Sequence, residues 1–123
     1  MEIFRTTSAP TFLNEKFLKD HLRRLSISIM SHLAESLEKE NDGADVGIST
    51  IQTDCVHLRS SLYIALDIKT VLPEQFTKLN RTILELRDNL EQLKVFMKNR
   101  KHREIEELKE TVREVLEDTL KRI

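Results

Sequence analysis

Residues 76–97 read FTKLNRTILELRDNLEQLKVFM, and the apolar positions in this stretch decide the fold. Phe76, Leu79, Ile83, Leu86, Leu90, Leu93 and Met97 recur at alternating steps of three and four. A helix with that spacing carries one narrow apolar stripe, the seam by which helices pack on one another. The stripe stops at the basic segment Lys98-Asn99-Arg100-Lys101-His102-Arg103. It resumes with Ile105, Leu108, Val112 and Val115.

Met97 and Ile105 are eight residues apart, so the seam slips by one position. The cations 98–103 suit the negative end of a helix, and Glu104, Glu106 and Glu107 suit the start of another. Against a break, the segment has neither glycine nor proline, and Lys and Arg favour helix. One continuous helix from Pro73 to about residue 122 is the preferred expectation. A hairpin restarting near 98–103 is the alternative. A continuous helix of ~50 residues would reach ~75 Å.

Upstream of the seam, Pro73 ends one helix and opens the next, with Glu74 at the positive end of the dipole. A helix over about 50–72 carries Ile51, Cys55, Leu58, Leu62 and Ala65 at the same rhythm, widened by Val56, Tyr63, Leu66 and Ile68. Residues 41–49 contain both glycines of the chain and read as a loop, closed by a Ser49/Gln52 capping box. An earlier helix over about 12–40 has the stripe Leu18, Leu22, Leu25, Ile29, Leu33 and Leu37, widened by Phe12, Leu13, Phe17, Ile27 and Met30. Residues 1–10, with Thr6-Thr7-Ser8-Ala9-Pro10, read as a flexible arm. The expected fold is all-α: an elongated helical bundle or coiled coil of three long helices over residues 11–123. Its third helix is open to a split into a fourth.

With Phe76 at heptad position a, the flanking g positions are Gln75, Thr82, Asn89 and Phe96, and the e positions are Asn80, Arg87 and Lys94. A parallel homodimer pairs acids with bases across these flanks. Here no such pair forms, so the seam suits a mixed bundle better than a zipper. Part of it is expected to be covered by the first two helices and part to extend into another chain.

Composition points the same way. Charged residues make up 33% of the chain and aromatic residues 5%, with no tryptophan, which suits exposed helices better than a thick core. The formal net charge of −1 gives no general attraction to nucleic acid or anionic lipid. The single cysteine, Cys55, excludes an internal disulfide and, with no apparent signal peptide, points to a reducing compartment. The cytoplasm is expected, with the nucleus as the alternative. No apolar run approaches a membrane span.

Neither a phosphate loop, a Cys-x-x-Cys pair nor a nucleophile elbow occurs. Cys55 and His57 lie two apart, where helical side chains diverge, so they make a poor metal pair. Acid pairs such as Glu106/Glu107 and Glu117/Asp118 fit a solvated helix face rather than a catalytic cleft. The expectation is therefore a non-enzymatic structural or adaptor subunit that joins other helical subunits in a hetero-oligomer, with no cofactor, metal or small-molecule substrate. Its expected interface is the seam, Phe76 to Met97 with Ile105, Leu108, Val112 and Val115. A second reading is a nuclear or nucleic-acid-associated regulator using Lys98, Arg100, Lys101 and Arg103. A third is a self-contained bundle holding a small ligand between its helices.

Overall fold

Two helical hairpins, joined through a sharp turn at Pro73, make up the body of the protein. A computed structural model describes the backbone of residues 1–38, 41–99 and 102–123, and the side chains of residues 1–38, 46–98 and 107–123. The elements are α1 (Glu2–Thr7), a 3-10 turn (Pro10–Phe12), α2 (Lys16–Glu38), α3 (Asn41–Asp67), α4 (Pro73–Asn99) and α5 (His102–Lys121). Each long helix packs against the next, and α5 touches α2 again. The result is an up-down-up-down four-helix bundle, with α2 and α3 most closely joined and α2 and α5 least.

The stripes are the reason. Leu22, Ile29, Ile51, Cys55, Leu58, Leu62, Ala65, Ile83, Leu86 and Leu90 are all completely buried. Burying one such aliphatic side chain stabilises the fold by about 1.5–3 kcal/mol. The residues expected to widen the stripes mostly do not. Phe12 is buried, whereas Leu13, Phe17, Ile27, Met30, Val56, Tyr63 and Ile68 are exposed.

Three expectations are corrected. Residues 73–123 are not one helix: α4 ends at Asn99, α5 begins at His102, and α5 folds back on α4. The physical cause is the one-residue slip, which would turn the second half of the stripe away from the core if the helix ran straight.

The glycine-bearing loop 41–49 is instead the start of α3, and Ser49 lies inside the helix, its carbonyl accepting from Thr53 Oγ1 at 3.2 Å. Gly47 has a packing role there. A Cβ at position 47 would collide with the Ser36 hydroxyl and come within 3.1 Å of Ser36 Cβ, so α2 and α3 approach closely only because position 47 has none. The first helix was expected to reach residue 40; α2 runs to Glu38, and residues 39–40 lie outside the described ones.

The arm expected over residues 1–10 is α1 and the approach to the 3-10 turn. Ile3 is completely buried and its amide donates to the Ile123 carbonyl. Arg23 of α2 fixes α1 from the side: Nε donates to Thr7 Oγ1 at 2.8 Å, Nη2 donates to Ser8 Oγ at 3.0 Å, and the guanidinium lies 4.9 Å from the Phe4 ring centroid. Thr11 Oγ1 donates to the Thr70 carbonyl at 2.7 Å, joining the 3-10 turn to the α3–α4 turn.

That α3–α4 turn closes as a Schellman motif. The Thr70 amide donates to the Ala65 carbonyl and the Lys69 amide to Leu66, with Lys69 in the left-handed region at φ 64°. Gln75 Oε1 then accepts the Leu72 amide at 2.9 Å, half of a capping box around Pro73.

Candidate interaction surface

The α4 seam is used inside the chain. Leu79, Ile83, Leu86, Leu90, Leu93 and Met97 are buried in the protein's own core, so as a surface offered to a partner this set is corrected. Phe76 is half-buried against Tyr63, ring centroids 4.7 Å apart. The neutral and basic flanks find their explanation in the same place. On the e side, Asn80 Oδ1 accepts from Arg59 Nε at 2.9 Å and Lys94 Nζ donates to Gln52 Oε1 at 3.3 Å, both partners on α3. On the g side, Thr82 is buried, and Asn89 and Phe96 line a groove with α5. The seam lacks self-complementary charges because α3 and α5 occupy its two sides.

What remains outward is the groove between α4 and α5. It encloses about 180 Å³ and is lined by Asn89, Gln92, Leu93, Phe96, Thr111, Val112, Val115 and Leu116. Leu93 and Leu116 form its floor, Val112 is half-buried, and Val115 is 53% exposed. Antiparallel pairing of α4 and α5 sets the level of each residue. Arg122 Nη1 and Nη2 donate to the two Glu85 carboxylate oxygens at 3.2 and 3.1 Å, which ties α5 to α4 below the groove. That hydrogen bond raises the Arg122 pKa further above its ordinary value. Asp88 and Glu114 are exposed, one helical turn from the lining residues Gln92 and Thr111, while the exposed Asp118 pairs with Arg122.

Of the residues expected at an interface, the groove thus brings together Leu93, Val112 and Val115. Leu108 is half-buried on α5. The side chains of Ile105 and Arg103, and Arg100 and Lys101 altogether, lie outside the described residues; Lys98 is exposed near the end of α4. Asn89, Gln92, Phe96, Thr111 and Leu116 were not anticipated. Their only signal was position: they flank the two stripes on the sides that meet once the hairpin closes.

A second apolar surface lies where the start of α2 runs beside the end of α3. Phe17 is 85% exposed, stacked on His21 at 6.2 Å, and Leu13, Ile64 and Ile68 are exposed at the same end. A third hollow, of about 190 Å³, opens between α2 and α5 where these helices touch least, around Met30, Leu33, Leu37 and Leu120.

Two polar clusters bear on chemistry. Ser28 Oγ donates to Asp54 Oδ2 at 2.8 Å, and His32 Nδ1 lies 3.3 Å from the same oxygen and 3.2 Å from Ser28 Oγ. These are the residue types of a hydrolytic triad in another arrangement. The serine donates directly to the carboxylate instead of to the far ring nitrogen, so the cluster ties α2 to α3 without activating a nucleophile. Cys55 is buried in the core while His57 is exposed, so the two do not share a ligand site. Burial pushes the Cys55 thiol up to about 12, Asp54 adds to the rise and Arg87 opposes it. A thiol so protected is a packing group.

Among the described residues no helix is long and apolar enough to cross a membrane, and no group of three or more His, Cys, Asp or Glu is placed to hold a metal. Compared with known protein families, curated proteins and solved structures, the chain matches none.

Proposed function

We propose that this protein is a non-enzymatic helical subunit of a hetero-oligomeric complex, and that it receives a partner helix in the α4–α5 groove. The observation that carries the reading is the groove itself: an apolar floor of Leu93 and Leu116 with Val115 exposed on its wall, on a bundle whose internal seam is already filled. Helix-in-groove recognition needs an amphipathic helix with apolar anchors at steps of three and four. Exposed Asp88 and Glu114, each one helical turn from a lining residue, favour basic residues beside those anchors.

The test is affinity purification from cells with quantitative mass spectrometry, comparing the wild type with Val115→Glu and Phe17→Glu. The expected result is a defined set of helical partners lost from Val115→Glu and kept by Phe17→Glu. Equal partner recovery from all three proteins would remove the α4–α5 groove from the reading. A wild-type chain that recovers no reproducible partner would remove the subunit role as well.

A further inference from the structure

At the pole where the chain ends meet, two hollows of about 310 and 370 Å³ adjoin one another and share Glu2, Lys78 and Arg122. Their walls come from three elements, α1, α4 and α5. Five cations converge there: Arg5, Lys78, Arg81, Lys121 and Arg122. Some of this charge is answered locally, since Arg5 pairs with Glu2 and Arg122 pairs with Glu85 and Asp118. Lys78, Arg81 and Lys121 are exposed and have no ion pair among the described residues. A chain of net charge −1 therefore concentrates positive charge in one concave place. Concavity matters, because low-dielectric walls focus the field of the charges that line them. The hollows are of the size that takes a small ligand.

We infer that this trough is a binding site for a small polyanion carrying two or more clustered phosphate groups. Lys78, Arg81 and Lys121 would hold the phosphates by charge-assisted hydrogen bonds, with Thr6 and Gln75 as neutral donors on the adjoining wall. A compact ligand fits better than an extended acidic chain, because the cations surround one hollow instead of following a line. Since α1 supplies one wall, a bound polyanion would also hold α1 against α4 and α5. The site stands apart from the α4–α5 groove and does not depend on the function proposed for it.

Titration calorimetry of the full chain with tripolyphosphate at low ionic strength tests this. Expected is one saturable site that weakens as salt is raised, together with slower amide exchange across α1. The triple variant Lys78→Ala/Arg81→Ala/Lys121→Ala should bind about tenfold weaker or worse. Lys98→Ala, whose charge lies toward the opposite pole, should bind as the wild type does. The replaced side chains are exposed, and an unchanged circular dichroism spectrum confirms that the variants fold. Copelleting with vesicles containing a bisphosphorylated inositol lipid, competed away by tripolyphosphate, would support the site and identify a lipid headgroup as the source of the phosphates. Binding of free tripolyphosphate without copelleting would support it with a soluble source. No saturable heat at low salt, or equal affinity in the wild type and the triple variant, overturns the site.

Discussion

The Ser36 hydroxyl fills the space that a side chain at Gly47 would need, and among the described residues it has no hydrogen-bond partner. Helix propensity alone favours alanine over glycine at position 47 by about 1 kcal/mol. Packing opposes it, since the new Cβ would meet Ser36 Oγ and lie 3.1 Å from Ser36 Cβ. Gly47→Ala should therefore destabilise the protein by about 1 kcal/mol or more in urea denaturation. Ser36→Ala, which removes a buried unsatisfied hydroxyl, should stabilise it by about 1 kcal/mol. In the Ser36→Ala background the cost of Gly47→Ala should shrink, giving a measurable coupling in the double-mutant cycle. Strict additivity would mean that the contact does not limit the approach of α2 to α3.

Lys69 occupies the left-handed position of the α3 C-terminal cap, where glycine meets no steric penalty. Lys69→Gly should raise stability by roughly 0.5–1 kcal/mol, read as a higher urea midpoint at constant slope. A lower midpoint would contradict the Schellman geometry.

Leu86 and Val115 should separate folding from binding. Leu86 is completely buried, and Leu86→Ala should cost about 2–5 kcal/mol. Val115 is mostly outside the core, and Val115→Glu should change stability by no more than about 0.5 kcal/mol while abolishing partner recovery. Thermal melts of the two variants decide this. A Val115→Glu protein as unstable as Leu86→Ala would mean that the groove belongs to the core.

The buried Cys55 thiol should make stability fall at high pH. Its pKa in the fold is about 12, and in the unfolded chain it returns to the ordinary value near 9. Below that ordinary value both states hold the proton and the contribution is complete. Above it the unfolded chain releases the proton and the folded one keeps it, so each further pH unit removes about 1 kcal/mol until the folded thiol also ionises. Denaturation midpoints measured from pH 8 upward should therefore slope downward more steeply for the wild type than for Cys55→Ala. Parallel slopes would contradict the burial of the thiol.

Arg23→Ala should release α1 while leaving the four long helices in place. It removes the donors to Thr7 and Ser8 and the cation over Phe4. Amide exchange should accelerate at residues 3–8 and stay unchanged at Leu58 and Leu86. Acceleration throughout the bundle would show that α1 is an integral part of its stability.

The helical class and the buried stripes were legible because they rest on spacing alone: Leu22, Ile29, Ile51, Leu62, Ile83 and Leu90 occupy the core as their periodicity requires. The Pro73 boundary was legible for the same local reason. Gly47 was not, because a glycine chosen for helix contact looks in sequence like a glycine chosen for a turn. The α4–α5 hairpin was present as the eight-residue step from Met97 to Ile105, but helix-forming residues masked it. The groove lay further out of reach. Phe96 stands near the end of α4 and Val115 in the second half of α5, and only the fold-back makes them neighbours.

The hydrogen bond from the Ile3 amide to the Ile123 carbonyl brings the two chain ends to one pole. The backbone is thus almost a closed ring, and a donor and an acceptor dye placed on the two ends would sit within a few side-chain lengths of each other. Energy transfer between them should be near its maximum in the intact protein and should drop as α1 detaches. The two ends would then act as a gauge of the state of that pole and of the trough it carries, read at a distance from the α4–α5 groove.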